Sequence, residues 1–291
     1  MKKMKRIKKE KKGCVLFLMG VIVMLPLITT ITNSFMTGQE IAVRYSAKPT
    51  DFDLHDNIRE TFKRTAFIPN PITFSQYAAV LVHQPSFLML LLNSLKITLP
   101  VTVGNLIIAL LTAYGFTVSM WKHKEKAFLA YIAVMLMPLQ AVIVPNYIIA
   151  DMMRIKQSYL AIILPGIFSP FGVFLIRQNM KALPYAYIEA ARIDGARDMT
   201  ILMRIIIPQM KSSIAALCML TFIEYWNIVE QAVVFIDDYT KEPLSIYLSR
   251  LADTTIGLIF AASCVYMAPP LWFLFSGQEH LEKGIELSGV K

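Results

Sequence analysis

Long apolar runs dominate this chain and decide what it can become. Six of them, Cys14–Asn33, Ile97–Val118, Ala127–Ile149, Tyr159–Leu175, Ser212–Ile236 and Thr255–Phe275, approach or exceed the ~20 residues that cross a bilayer as a helix. In hydrocarbon, every backbone N–H and C=O must find a partner within the protein, so runs of this length are expected to be helices. The expected fold class is an all-α integral membrane protein with six transmembrane helices. Composition agrees: 56% of the 291 residues are hydrophobic and 17% charged, against about 25% charged in soluble domains. The fourth run is short, and Pro165 and Pro170 predict a broken or tilted helix there.

The net charge of +9 raises the question of nucleic acid. The basic residues gather instead in the tail Lys2–Lys12 and in short loops, without the basic stripe and interleaved aromatics of a nucleic-acid surface. Their placement fits the retention of Lys and Arg on the cytoplasmic side. Trp121–Lys126 and Arg177–Lys211 are basic, whereas Asp237, Asp238, Lys241 and Glu242 make an acidic loop. Both termini and the Arg177–Lys211 loop are therefore expected in the cytoplasm. The first apolar run is long and no small-residue cleavage site follows it, so it reads as a retained anchor rather than a signal peptide. The expected organisation is a basic tail (1–12), an anchor (13–36), an extracytoplasmic stretch (37–86), a five-span core (87–276) containing the loop 181–211, and a cytoplasmic C-terminal tail (277–291).

Little in the chain suggests chemistry. Cys14, Cys218 and Cys264 lie in or beside apolar runs and are expected as small buried hydrophobes. The four histidines are scattered without metal-ligand spacing, and no phosphate-binding G-x-x-x-x-G-K-[ST] string occurs. Neither a Ser/Lys, Asp/Asp nor His-Glu-x-x-His set at span depth appears, which disfavours an intramembrane enzyme. A self-sufficient secondary carrier would be expected to show repeat symmetry and more spans. Lys96 is expected at the outer end of the second span, where its stem can snorkel.

One span does carry polar groups. Glu224 sits within the fifth run, with Asn227 and Gln231 three and seven residues on and so on its helical face. Trp226 and Glu230 lie beside them. Glu224, Asn227, Gln231 and Trp226 could line a pathway for a hydroxyl-rich solute, or act as interhelical glue toward another subunit.

The most specific string stands between the fourth and fifth runs. Pro184 precedes Tyr-Ala-Tyr-Ile-Glu189-Ala190-Ala191-Arg-Ile-Asp194-Gly195, and Ile-Ile-Ile-Pro208 follows. Pro184 and the alanines predict a short helix that Gly195 ends with a left-handed turn. Glu189 and Arg192 are expected to be exposed, with Ile188, Ala191 and Gly195 as a small-residue contact face. A second helical piece is expected from about Arg197 to Ile207.

This string resembles the EAA loop of ABC-importer permeases. The resemblance extends from Phe67 to Lys291 through Phe67–Tyr77, Asn93-Ser94, Trp226-Asn227, Pro243-Leu244, Ala261–Ser263, Pro269-Pro270 and the tail Gly284–Lys291. Those features are similar to the carbohydrate-uptake type, the branch of the second maltose permease subunit. The resemblance implies that the short helix is a cytoplasmic coupling helix docked on an ATPase, through Glu189, Ala190, Ala191, Asp194, Gly195 and Pro208. The tail residues Gly289, Val290 and Lys291 are implied as a second contact.

Implied partners are two ATP-binding cassette subunits, a homologous sister permease, an extracytoplasmic solute-binding protein and membrane lipid, with no nucleic acid. This chain itself would hold no cofactor, ATP and Mg being bound by the ATPase. The resemblance implies a multi-pass protein of the bacterial cytoplasmic membrane that imports a sugar or oligosaccharide, or alternatively a sugar phosphate or other polar nutrient.

Overall fold

The computed structural model describes residues 2–45, 69, 71–251 and 256–289, with side chains over 16–41, 69, 71–250 and 258–277. Among these residues every regular element is helical. In chain order they are α1 (Lys2–Asn33), α2 (Gly38–Tyr45), α3 (Ser75–Leu81), α4 (Pro85–Val118), α5 (Lys124–Met135), α6 (Leu139–Met152), α7 (Leu160–Ile167) and α8 (Pro170–Lys181). There follow α9 (Ala186–Ile193), α10 (Asp198–Ile201), a π-helical turn (Leu202–Ile206) and α11 (Ile207–Gln209). Then come α12 (Lys211–Trp226), α13 (Glu230–Phe235), α14 (Leu244–Leu251) and α15 (Ile256–Gly289).

Among the described residues, four helical segments are long and apolar enough to cross a membrane: Leu16–Asn33, Pro85–Val118, Leu160–Lys181 and Leu258–Gly277. Two bent pairs, α5 with α6 at 97° and Asp198–Gln209 with α12 at 83°, raise the number to six if each is one span. Several boundaries differ from the sequence expectation. The run Ala127–Ile149 is not one helix: it breaks ahead of Pro138, which takes extended backbone (φ −65°, ψ 145°) before α6. Proline lacks the N–H that would continue the helix, and its ring crowds the preceding residue. The fourth run does break, at Phe168–Ser169, where Pro170 opens α8 in its first turn, whereas Pro165 stays inside α7. The fifth run stops at Trp226 rather than Ile236. The second starts at Pro85, which places Lys96 about three turns inside a helix instead of at its end.

The described residues fall into two units. The first comprises Met1–Leu88 and Leu248–Ala268. Where α1 ends, Ser34 Oγ lies 2.7 Å from Tyr77 Oη, and the Thr73 N–H donates to Phe35 O at 2.8 Å. Phe35 packs on Phe74 and Tyr77 with centroids 5.4 and 5.5 Å away. The Glu40 N–H donates to Thr37 Oγ1 at 3.1 Å, a side-chain cap for α2. Of the expected extracytoplasmic stretch 37–86, residues 46–68 and 70 lie outside the described residues. Cys264 in this unit and Cys218 in the other are free and only half-buried; the Cys14 side chain lies outside the described residues.

The second unit, Met89–Tyr247 with Pro269–Lys291, contains two apolar cores. One gathers Ala109, Val173, Ile176, Ile188, Ile201 and Ile206 from α4, α8, α9 and the turns that follow. The other gathers Ile97, Val101, Ile162, Tyr225, Phe235 and Ile246 from α4, α7, α12, α13 and α14. Glycine allows these helices to meet closely, as in lipid-embedded bundles. A Cβ on Gly166 would stand 2.7 Å from Tyr225, and one on Gly172 2.4 Å from Asn105.

The break between α7 and α8 frees carbonyls in apolar surroundings, and one side chain serves them. Asn105 Nδ2 faces Gly166 O, Ile167 O and Ser169 O at 3.4, 3.1 and 3.4 Å. A second amide does the same for the loop before α14: Asn93 Nδ2 donates to Thr240 O and Glu242 O at 2.8 and 3.2 Å, while Ser94 Oγ accepts the Leu244 N–H at 2.8 Å. Replacing Asn105 by Ala removes the donor without adding bulk beside Gly172. The midpoint of thermal unfolding should fall, with a loss of about 1–3 kcal/mol for carbonyls left unmet. An unchanged midpoint would show that the break does not depend on this amide.

Candidate functional site

The helix around Glu189 is built to be held on one side and bare on the other. Pro184 stands just before it and Ala186, Ala190 and Ala191 favour helix. The C-terminus closes with two bonds, Gly195 N–H to Arg192 O at 3.0 Å and Ala196 N–H to Ala191 O at 2.9 Å. These are the paired bonds of a left-handed helix end, and Gly195 takes the required φ of +77°. The expected turn is there.

The faces differ from expectation. Ile188 and Ala191 are 4% and 8% exposed and belong to the chain's own core. The bare surface carries Glu189, Ala190 and Asp194, with Ile193 at its centre, 87% exposed. Ile188 and Ala191 thus secure the helix from behind, and contact with another molecule would fall on the Ile193 face. An i, i+3 pair turned inward follows from the helix period, but which pair it is depends on where α8 and α4 lie.

Arg192, expected to be exposed, is half-buried and held. Its Nη2 donates to Asp198 Oδ1 at 3.3 Å, and the Tyr114 hydroxyl, from α4, donates to the same oxygen at 2.7 Å. The Asp198 carboxylate beside Arg192 raises the pKa of that guanidinium further. Beyond Asp198 the helix widens, with the Ile207 N–H bonding to Leu202 O. Pro208 follows without an N–H to give, and the 83° bend to α12 comes after it. The expected piece from Arg197 to Ile207 is therefore three short helical segments.

Arg177, counted among the loop charges, lies within α8 and is 2% exposed. Its Nη2 donates to Glu125 Oε1 at 2.7 Å, and its guanidinium sits 3.7 Å from the Phe128 ring centroid. Lys181 reaches the same carboxylate at 3.3 Å. Sequence reasoning missed this tie because its members are 52 residues apart; the sign of the charge alone could not separate a buried arginine from a loop one.

A cavity of about 290 Å³ opens where α12 stops. Glu224, Asn227 and Gln231 line it, as do Leu139, Tyr225, Ile228, Val229 and Glu230. The helical-face argument for Gln231 does not hold, since Asn227–Val229 interrupt the helix; the break itself brings Gln231 to the cavity. Asn227 donates its Nδ2 back to Ile223 O at 2.9 Å, and Gln140 donates to Glu230 at 3.3 Å. Trp226 is absent from the lining. It is fully buried and stacked on Phe222, centroids 5.6 Å apart and planes 13° apart. Glu230 takes the place that Trp226 had been given. Gly289 ends α15, and Val290 and Lys291 lie outside the described residues.

The family described as binding-protein-dependent transport system inner membrane component matches residues 72–286. The chain belongs to this family. Lactose transport system permease protein LacG of Rhizobium radiobacter is 27% identical over 202 residues, 68% of this chain and 74% of that protein. Arabinooligosaccharides transport system permease protein AraQ of Bacillus subtilis is 26% identical over 226 residues, 77% and 80% of the two chains. The sn-glycerol-3-phosphate transport system permease protein UgpE of Pectobacterium atrosepticum is 28% identical over 204 residues, 68% and 73%. In fold, the chain is similar to one in the crystal structure of a bacterial ABC transporter involved in the import of the acidic polysaccharide alginate. That match has a TM-score of 0.75 at 21% identity and covers 94% and 96% of the two chains.

This permease is accordingly an inner-membrane component of a transport system, a transporter subunit by family rather than an enzyme, and membership implies an ATPase and a solute-binding protein as partners. The geometry of its Glu189 helix can be tested directly. Ile188→Ala should cost roughly 2–5 kcal/mol of stability as a buried truncation. Ile193→Ala should stay within about 0.5 kcal/mol. Equal effects on thermal unfolding would contradict the assignment of the two faces.

Proposed function

We propose that this permease forms half of a translocation pathway for a sugar or oligosaccharide, driven by ATP hydrolysis on two partner cassette subunits. A homologous sister permease would supply the other half, and an extracytoplasmic binding protein would deliver the solute. In this reading each bent pair is one span. The six spans put both termini and the Glu189 loop in the cytoplasm, and 37–86 outside, with the core running over 87–276 and the C-terminal tail over 277–291. The observation that carries the reading is the Glu189 helix: bare at Glu189, Ala190 and Ile193, and fixed from behind by Ile188 and Ala191. A surface of that kind can receive a push without yielding. It is the coupling helix in this proposal, with Asp194, Gly195 and Pro208 shaping its exit and Gly289–Lys291 adding a contact.

The carbohydrate assignment draws support from the lactose and arabinooligosaccharide permeases among the relatives. The glycerol phosphate relatives favour a second reading, import of a sugar phosphate. The cavity argues for the first. Glu224 and Glu230 present two carboxylates with Asn227 and Gln231, a lining that offers hydrogen bonds to hydroxyls and repels a phosphate dianion at short range.

Two measurements test this function. Glu189→Lys, or Gly195→Val, which strains a left-handed residue by about 1–2 kcal/mol, should abolish ATP-driven uptake while the protein still inserts. Normal uptake by these variants would refute the coupling role. Glu224→Gln should strengthen inhibition by a phosphorylated oligosaccharide more than it lowers uptake of a neutral one, because one of the two repelling charges is gone. Identical uptake profiles before and after the change would remove Glu224 from the pathway.

A further inference from the structure

Three segments converge on one oxygen atom. Asp198 Oδ1 accepts from the Tyr114 hydroxyl at 2.7 Å and from Arg192 Nη2 at 3.3 Å. Tyr114 belongs to the last turn and a half of α4, Arg192 to the last turn of α9, and Asp198 is the first residue of α10. From α10 the chain passes through the π-helical turn and the 83° bend into α12. The oxygen therefore links the Glu189 helix, the root of the fifth run and the end of the second.

The apolar contacts nearby do a different job. Ile188, Ala191, Ile201 and Leu202 are buried beside Ala109, Leu110 and Ala113 of α4. Such contacts resist separation but are non-directional, so packed helices can slide over them. A shared carboxylate oxygen fixes distance and angle together, because a hydrogen bond weakens steeply as its angle falls. The junction lies at the surface, with Asp198 67% and Arg192 34% exposed as side chains, so its net contribution to stability is small. Its geometry suits it to setting direction.

We propose that the Tyr114–Asp198–Arg192 junction makes these three segments move as one body, so that displacement of the Glu189 helix is delivered to the spans instead of being absorbed by sliding. Tyr114 and Asp198 are positioning residues. Without them the ATPase would still close and hydrolyse, and the pathway would follow it incompletely. The proposal rests on the coupling role given above for the Glu189 helix.

The test uses the complete importer in proteoliposomes, with both permeases, the ATPase and the binding protein, and reads solute accumulated per ATP hydrolysed. Tyr114→Phe removes one oxygen and leaves the ring in place; Asp198→Ala removes the shared acceptor. Each should leave assembly and ATP hydrolysis at parental levels and lower the uptake per ATP roughly fivefold, the factor that one ordinary hydrogen bond represents. The double variant should be no worse than the more affected single one, since both break the same junction. An unchanged ratio, additive losses in the double variant, or loss of assembly in Tyr114→Phe would each overturn the proposal. Ile193→Asp separates it from the reading beneath it. This variant should lose ATPase association, and if it associates and transports normally, the coupling role fails whatever the junction variants do.

Discussion

Backbone groups freed by a break in an apolar helix have no water to turn to, and much of this molecule is arranged around meeting them. Hydrocarbon leaves an unpaired carbonyl at a cost of several kcal/mol, yet the chain breaks its apolar runs ahead of Pro138, at Phe168–Ser169 and at Asn227–Val229. Asn105 serves the second of these breaks. Asn227 turns its own amide back on Ile223 at the third, and Ser245 donates to Ile228 O nearby. Polar side chains in these spans are thus mostly structural servants of the backbone. The carboxylates of Glu224 and Glu230 face a cavity instead.

Breaks so supported give the second unit two distinct ends. At one, α12 and α13 part to open the cavity with its carboxylates and amides. At the other, α9 is fastened between an apolar core and the Asp198 junction. A rigid span would join those ends directly, but the segment leading into the fifth run is widened by a π-helical turn and meets α12 at an 83° bend. Motion delivered at α9 must therefore pass a place where the helix is locally irregular. Directional polar bonds at that place matter more for movement than for stability.

Much of the fold was legible in the residues. Six apolar runs, the break at Pro170 and the positive φ of Gly195 follow from hydrocarbon, proline and glycine chemistry that acts within a few residues. Motifs noticed for their likeness to a family, Asn93-Ser94 and Pro243-Leu244, turned out to meet each other: Asn93 and Ser94 bind the loop that leads into Leu244. What could not be read was which polar residue faces what. Arg177 looked like a loop charge and is buried against Phe128 and Glu125, while Trp226 looked like a pathway lining and is stacked inside. Ile188 and Ala191 looked like a docking face and are the anchor.

The sequence alone determined the solvent of this protein and the punctuation of its helices, because transfer into lipid and the steric limits of proline and glycine are local properties. Tertiary structure decided the rest: which face of α9 is bare, which side chains line the cavity, and which three distant residues share the oxygen of Asp198. Those outcomes depend on contacts such as Tyr114–Asp198 and Gln140–Glu230, 84 and 90 positions apart, and no periodicity within one helix specifies its neighbour.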